Sequence, residues 1–445
     1  MLRPARLVLF GVLAGLTLGP ALAQGVRSAG MAGLILPGPQ AADLNPAYAA
    51  YSDTPYGYAS NLPLPLGLVN LALRPSTSPV YYFTDPQTFK DSFDLLAFFD
   101  QLSHPLELLI NPPTSPTEVV FHVSADGIRI TDGEGNPFDL SGSREAGSAT
   151  QDRPLRAPAF EYSVPTGVPG LRLAVGAFFD ATRFDLALND ALRTDLLSGR
   201  LRANTTYALE WSGAASGGLT VDLGYATKLP RLPGLSGDLY VGTQVQGFYG
   251  LYYGDVLLNA STTTDDDALP GSVDYAASAF YVYPGQGYGA GARFDLGLAL
   301  DGEGWTVGLG LRNLYAFETW QGQRWSLAAD GGTAEVTDET LTTSGFAPQV
   351  FVNGAYLQDV GLGEVLLGAD LAYLNGAVQG HAGLEYRFQI FRLRGGFGYE
   401  NGPRLGLGAG IDLGFLSSDL ALTSHPAPLT GDTVFGLAAS LGVHF

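Results

Sequence analysis

From Thr433 to Phe445 apolar residues alternate with small or polar ones: Phe435, Leu437, Ala439, Leu441, Val443 and Phe445 share one parity, Gly436, Ala438, Ser440, Gly442 and His444 the other. A period of two with one oily face predicts a strand. The pattern recurs in Arg404 to Phe415, where Leu405, Leu407, Ala409, Ile411, Leu413 and Phe415 oppose Arg404, Gly406, Gly408, Gly410, Asp412 and Gly414. It recurs again in Gly289 to Leu300, where Phe294, Leu296, Leu298 and Leu300 oppose Gly291, Arg293, Asp295, Gly297 and Ala299. The same parity runs through Leu171 to Phe179, Asp238 to Tyr253, Trp305 to Tyr315, Val365 to Tyr373, Val378 to Phe388 and Leu393 to Tyr399. Turn residues such as Gly302-Glu303-Gly304 and Asn401-Gly402-Pro403 separate the runs. A chain that ends on such a strand must close its sheet or leave an exposed edge, and closing it makes a barrel.

A soluble sandwich also alternates, but its inner faces carry large aliphatics and its outer faces Lys, Glu and Thr. Here the face opposite the oily one is mostly glycine with charges of both signs, which suits a barrel interior where other backbone approaches closely. Arg3 and Arg6 precede an apolar run from Leu7 to Leu18, and Ala21-Leu22-Ala23 supplies small residues for processing before Gln24, so residues 1–23 read as a secretory signal. A helical anchor is the competing reading, although the run is short of the roughly 20 residues such a helix needs. Charged residues are 15% of the chain, against roughly 25% in soluble domains. Gly 60, Tyr 22 and Phe 24 fit strands alternating oily and small residues between aromatic girdles. Removing 23 of 445 residues leaves 422. At roughly 30 residues per strand and connection, this predicts an all-β, transmembrane antiparallel barrel of about 14 strands spanning residues 61–445 in the outer membrane of a diderm bacterium.

Residues 24–60 lack sustained alternation, and Gly30, Gly33, Pro37, Gly38, Pro39 and Pro46 break every run. A periplasmic tail and a plug inside the barrel are both open, the glycine-lined interior favouring the plug. Within it, Ser28-Ala29-Gly30-Met31-Ala32-Gly33 and Asp43-Leu44-Asn45-Pro46-Ala47 resemble the amino-terminal signature of the outer-membrane superfamily of long-chain fatty acid transporters, type 9 secretion porin-like proteins and conjugal-transfer proteins. Gly310-Leu311-Arg312-Asn313-Leu314 and the stretch from Gly414-Phe415-Leu416 to Phe445 share the resemblance. It implies a barrel, usually of 14 strands, with Asn45, Pro46 and Ala47 in an internal plug.

Asp85 to Ile110 breaks the period. Phe89, Phe93, Leu95, Leu96, Phe98, Phe99, Leu102, Leu106, Leu108 and Leu109 recur largely at three and four, predicting an amphipathic helix, or two broken at His104-Pro105. If Leu66 to Phe83 holds the first outward strand, this insertion lies on the outer side. It either packs on the barrel mouth or plug, or offers Phe89, Phe93, Phe98 and Phe99 as a landing site for an apolar substrate. Phe445 is the expected terminal signal for the barrel-assembly machinery.

Catalytic chemistry is thin. Asp132, Glu134, Asn136 and Asp139 have a loop-like oxygen spacing, but Pro137 stands where a calcium loop needs glycine. Gly285-Gln286-Gly287-Tyr288-Gly289 lacks a strand-turn-helix setting for phosphate. Of the five histidines, His381 and His444 point inward by parity, His104, His122 and His425 sit near strand ends, and none pairs with a nucleophile. No enzyme, cofactor or metal site is expected. The net charge of -20 becomes -22 without Arg3 and Arg6, and no basic cluster offers nucleic acid a footing. Inward charges at Arg293, Asp295, Arg312, Asp370, His381, Glu385, Arg387, Arg394, Arg404 and Asp412 read as a neutralising ladder that supports the plug or lines a pore. The expected partners are outer-membrane lipid, the assembly machinery and a hydrophobic small molecule. Three functions remain: a channel for hydrophobic molecules such as fatty acids, a non-conducting scaffold docking a secretion or surface-layer protein, and a general porin, against which a plug would count.

Overall fold

Consecutive strands pair with one another because each alternating run returns through a short turn, and the pairing is antiparallel throughout. The computed structural model describes residues 21–51, 62–64, 66–78, 81–85, 87–88, 97, 101, 104, 106–112, 119–124, 127–132, 160–164, 166–198, 200–231, 233–234, 236–327, 334–344, 348–374, 377–400, 402–426 and 433–443. The early strands are short: β1 (Leu62–Pro63), β2 (Leu108–Leu109) and a separate hairpin of β3 (Val119–Ser124) with β4 (Gly127–Asp132). The wall then runs through β5 (Phe160–Val164), β6 (Leu171–Leu188), β7 (Thr206–Lys228), β8 (Asp238–Thr263), β9 (Asp274–Val282), β10 (Tyr288–Gly302), β11 (Trp305–Leu327) and β12 (Glu335–Ser344). It continues through β13 (Gln349–Asp359), β14 (Glu364–Leu374), β15 (Ala377–Phe388), β16 (Phe391–Tyr399), β17 (Pro403–Asp412), β18 (Leu416–Pro426) and β19 (Thr433–Val443).

Two pairs of these share one position. Along β8, Tyr253 faces Val282 of β9 and Gly250 faces Gly289 of β10, so residues 283–287 interrupt a single long strand. Along β11, Phe317 faces Ser344 of β12 and Arg312 faces Gln349 of β13 in the same way. Counting each colinear pair once, β5 to β19 supply thirteen positions among the described residues. The far edge of β19 is taken by the early chain: Leu62 and Pro63 face Leu441 and Ser440, while Leu109 and Leu108 face Gly436 and Leu437. The expected count of about 14 is met by these positions together with that composite edge.

The parities hold. Leu405, Leu407, Ile411, Leu413 and Phe415 are exposed, Leu407 by 63% and Phe415 by 67%, while Arg404, Gly406 and Gly410 on the opposite parity are buried. An exposed band of Leu, Val, Phe and Tyr without charge is what lipid contact requires. Among the described residues no helix is long and apolar enough to cross a membrane.

Strand length divides the wall. β14 to β19 have nine to twelve residues, close to the roughly 9–11 that a tilted strand needs to span a bilayer. β7, β8 and β11 have 23, 26 and 23. In β8 the clean alternation of buried and exposed positions ends at Gly250, and from Tyr253 to Leu258 both faces are half-buried. β12 is exposed on both faces for most of its length. The upper ends of β7, β8 and β11, with β9 and β12, therefore form a crown beyond the lipid band.

Two expectations on the early chain change. Among the described residues of 66–83 there is no outward strand: Leu66–Leu73 and Tyr81–Thr84 are helical, because the run Leu-Gly-Leu-Val-Asn-Leu-Ala-Leu is oily without alternation and mostly unbranched at Cβ. Leu108 and Leu109, grouped with the helical insertion, pair instead with β19, whose edge would otherwise be left with unpaired backbone groups. Helical positions described between them are 87–88, 97 and 101.

Candidate functional site: the barrel lumen

The amino-terminal segment touches the inward face of strands from β6 to β19, so the wall wraps around it. Its first half is the helix Ala21–Ala29, kinked at Gly25, followed by a tight turn. Ser28 shapes that turn: its Oγ donates to the Leu34 carbonyl at 2.8 Å, and its own carbonyl accepts from the Gly33 amide at 2.9 Å. Gly33 has a left-handed φ of 100°, and a Cβ there would lie 3.1 Å from His381 Nε2. Met31 and Ala32 press backbone against Gly396 and Gly406, where any side chain would overlap them. Met31, Leu34 and Leu36 form an apolar cluster with Ala355 and Leu366, and Val26 packs on Ala421 and Ala438.

The second half centres on Asn45, Pro46 and Ala47. Asn45 is fully buried and caps the short 3-10 helix Pro46–Ala50, its Oδ1 accepting from the Ala47 amide at 3.1 Å. Its Nδ2 donates to the Leu298 carbonyl of β10 at 2.9 Å. One side chain thus caps the helix and ties it to the wall, which no aspartate can do, lacking the donor. Pro46 supplies a helical φ at the first position without needing its absent N–H. Ala47 is fully buried against Gly242 and Gly297, and Leu44 and Tyr48 lie over Gly310 and Gly308. Tyr48 Oη donates to Asn353 Oδ1 at 2.5 Å, while Asn353 Nδ2 donates to the Ile35 carbonyl at 3.0 Å.

The inward charges are paired rather than lining an open pore. Glu385, without exposed side-chain surface, receives Arg27 through two bonds of 2.9 and 3.0 Å, Arg394 at 2.6 Å and Arg387 at 2.7 Å. Arg394 also reaches Asp419 at 2.5 Å. His381 lies between Asp370 at 2.7 Å and Glu400 at 3.0 Å, and the other Asp370 oxygen accepts from the Ile35 amide at 2.6 Å. In the turn after β16, burial alone would raise the Glu400 carboxyl, but the His381 hydrogen bond and the Arg404 charge hold it down at about 2. Across the lumen Asp43 accepts from Arg172 at 3.0 Å, and Arg293 pairs with Asp295 at 2.9 Å.

Above this polar level the tall strands turn aromatic side chains inward. Phe178, Phe248, Phe280, Val282 and Trp320 form one buried cluster, with Tyr253 and Leu341 against it. Phe178 and Phe248 meet edge to face at 5.6 Å, and Phe248 and Trp320 lie 5.4 Å apart. Gly250 and Gly289 leave the space for Trp320, and Gly291 that for Phe248. Phe248 faces Gly291 across β8 and β10, and Gln246 faces Arg293, so the aromatic cluster lies one pleat from the arginine level. Further up, an open groove of about 530 Å³ includes Asn189, Glu210, Asn259, Asp274 and Tyr275 in its lining.

Of the residues the sequence singles out, Asn45, Pro46 and Ala47 come together in the lumen. Phe89, Phe93, Phe98, Phe99 and Phe445 lie outside the described residues, as does His444. His104 stacks on His425 with ring centres 3.5 Å apart. Alternation did not single out Phe178, Phe248, Phe280 or Trp320. The signal available for Phe248 was a large aromatic on the parity of Gly242, Gln244, Gln246 and Gly250.

These features define a membrane-spanning strand barrel with an occupied lumen. No family model matches the chain, and no curated protein does. Solved structures do. A Pseudomonas aeruginosa FadL homologue covers 94% of this chain and 95% of its own at 11% identity with a TM-score of 0.39. The P. putida toluene transporter TodX covers 64% and 81% at 12% identity and 0.37, and a mutant Rh. blastica porin 52% and 100% at 11% and 0.20. At these identities and scores, function has to be read from the chain's own residues.

Proposed function

We propose that the protein is an outer-membrane channel for hydrophobic small molecules such as fatty acids, closed by its amino-terminal segment. The supporting observation is the inward aromatic cluster of Phe178, Phe248, Phe280 and Trp320, set one pleat from Arg293 and toward the crown. A general porin would have a water-filled polar lumen at this point; here the lumen holds rings and glycine. Arg293 stands one pleat from Phe248, paired with Asp295. Phe89, Phe93, Phe98 and Phe99 serve on this reading as the landing site for the apolar molecule, and Phe445 as the assembly signal.

Influx of a fluorescent fatty acid analogue into reconstituted vesicles tests the reading. Wild type should accelerate it over protein-free vesicles, Phe248→Ser with Trp320→Ser should slow it several-fold, and Phe93→Ser with Phe98→Ser should do the same by weakening capture. The crown favours a second reading, a scaffold for a secreted or surface-layer protein, because strands this long exceed what the membrane needs. Absence of influx together with a specific protein co-purifying, identified by mass spectrometry, would put the scaffold in the channel's place.

A further inference from the structure

Residues 24–51 contain two charged side chains, Arg27 and Asp43, of opposite sign. Each meets a wall residue of the opposite charge, and the two contacts fall on different halves of the wall: Arg27 on Glu385 of the short strand β15, Asp43 on Arg172 of β6. The apolar packing divides in the same way. Residues 26–36 rest on β13 to β19, with Ile35 also touching the second half's cluster, and residues 41–51 rest on β7, β8, β10 and β11. Between them lies Pro37-Gly38-Pro39-Gln40, where Gly38 has φ 148° and Pro39 and Gln40 are exposed. Asn353 bonds to both halves, to Ile35 through its nitrogen and to Tyr48 through its oxygen, so the second half can leave while the first bond stays.

The two charge contacts differ in kind. Arg27 grips Glu385 with two bonds, and the Glu385 carboxylate has no exposed surface. Asp43 and Arg172 meet at 3.0 Å and retain 30% and 19% of their side-chain surface in solvent, with the charges of Arg293 and Arg312 also acting on the Asp43 carboxylate. Salt weakens an exposed pair and leaves a buried one nearly untouched.

We propose that the plug is a two-part element: residues 26–36 are a fixed anchor held by Arg27 and Glu385, and residues 41–51 are the moving gate, latched by Asp43 on Arg172 and hinged at Gly38. This assignment concerns movement within the lumen and stands apart from which molecule passes, so its test reads backbone exchange instead of transport.

Amide hydrogen exchange of the full-length barrel in detergent provides that test. In Arg172→Gln, peptides covering 41–51 should exchange about 5-fold faster, the scale of a partly exposed ion pair, while peptides covering 26–36 keep their wild-type rates. Arg172→Lys, which keeps the charge, should retain most of the protection. Raising salt from low to high on wild type should speed 41–51 selectively, with no variant required; Asp43→Asn should remove that salt response. Joint acceleration of both peptides in Arg172→Gln would mean the plug moves as one body. That result, or unchanged exchange in 41–51 under both salt and substitution, would overturn the proposal.

Discussion

Strands β14 to β19 run nine to twelve residues, about a bilayer's worth, whereas β7, β8 and β11 run 23 to 26 and carry a crown past the lipid band. The short half repeats one rule along its length, oily outside and glycine or paired charge inside. The tall half obeys that rule only up to Gly250 in β8. Alternation is thus imposed by lipid on one face and a packed lumen on the other, and it fades where water reaches both faces. The plug mirrors the division: a buried ion-pair cluster holds it to the short half, and a neutral hydrogen bond to β10 with a partly exposed pair to β6 holds it to the other.

The largest effect should come from the short half's charge cluster. Glu385→Gln leaves Arg27, Arg387 and Arg394 around a neutral amide, and removing one partner of a buried pair costs about 3–5 kcal/mol. Urea unfolding in lipid vesicles should show that loss. An unchanged midpoint would remove the distinction between anchor and gate.

Next comes a matched pair of exposed sites. Leu407 in mid-β17 and Val336 in the crown are exposed by 63% and 51%. Leu407→Lys should cost about 2–4 kcal/mol, as lysine facing the bilayer midplane does, and Val336→Lys close to nothing. Equal costs would mean that the crown lies in lipid or that the short half does not.

A smaller loss is expected on the tall half. Asn45→Ala deletes both the helix cap and the bond to Leu298, with about 1–2 kcal/mol gone from the gate. Exchange in 41–51 should rise while 26–36 stays protected. Smallest is an acid effect at the rim. The folded pKa of Glu400, about 2, lies below its ordinary 4.5. Its contribution is therefore fully present above pH 4.5 and fades as pH falls toward 2. Glu400→Gln should flatten that part of the stability profile, and a variant that kept the full wild-type slope would exclude Glu400 as its source.

Much of this wall is legible in sequence. Parity alone separates Leu405 and Leu407 from Gly406 and Gly408, and places His381, Glu385 and Arg394 inside. The crown is not legible in that way, for two physical reasons. Its faces are both half-solvated, so the oily period weakens above Tyr253. Irregular pairing also interrupts the runs: one extra residue, Leu251, shifts the parity of β8, and two extra residues in β11 near Asn313, at φ 56°, break the run without changing its parity. Runs read as Leu171 to Phe179, Asp238 to Tyr253 and Trp305 to Tyr315 accordingly extend to Leu188, Thr263 and Leu327. Trp320 keeps the inward parity of Gly308 and Gly310, but Phe248, Phe280 and Trp320 stand on three different strands and only the fold joins them. The Asn45-Pro46-Ala47 element was legible as a motif, but its double role as cap and tie depends on Leu298, far away in sequence and adjacent only once β10 is in place.

The central claim, that inward glycines seat a plug which closes the barrel, has a direct test in single-channel conductance. Gly310 lies under the Leu44 carbonyl and Gly406 under the Ala32 amide, so a side chain at either must displace the plug. Purified wild type in planar bilayers should be closed to small ions for most of the record. Gly310→Val should open it by unseating residues 41–51, and Gly310→Val with Gly406→Val should open it further. A wild-type barrel that already conducts steadily, with conductance unaltered by both substitutions, would contradict the account.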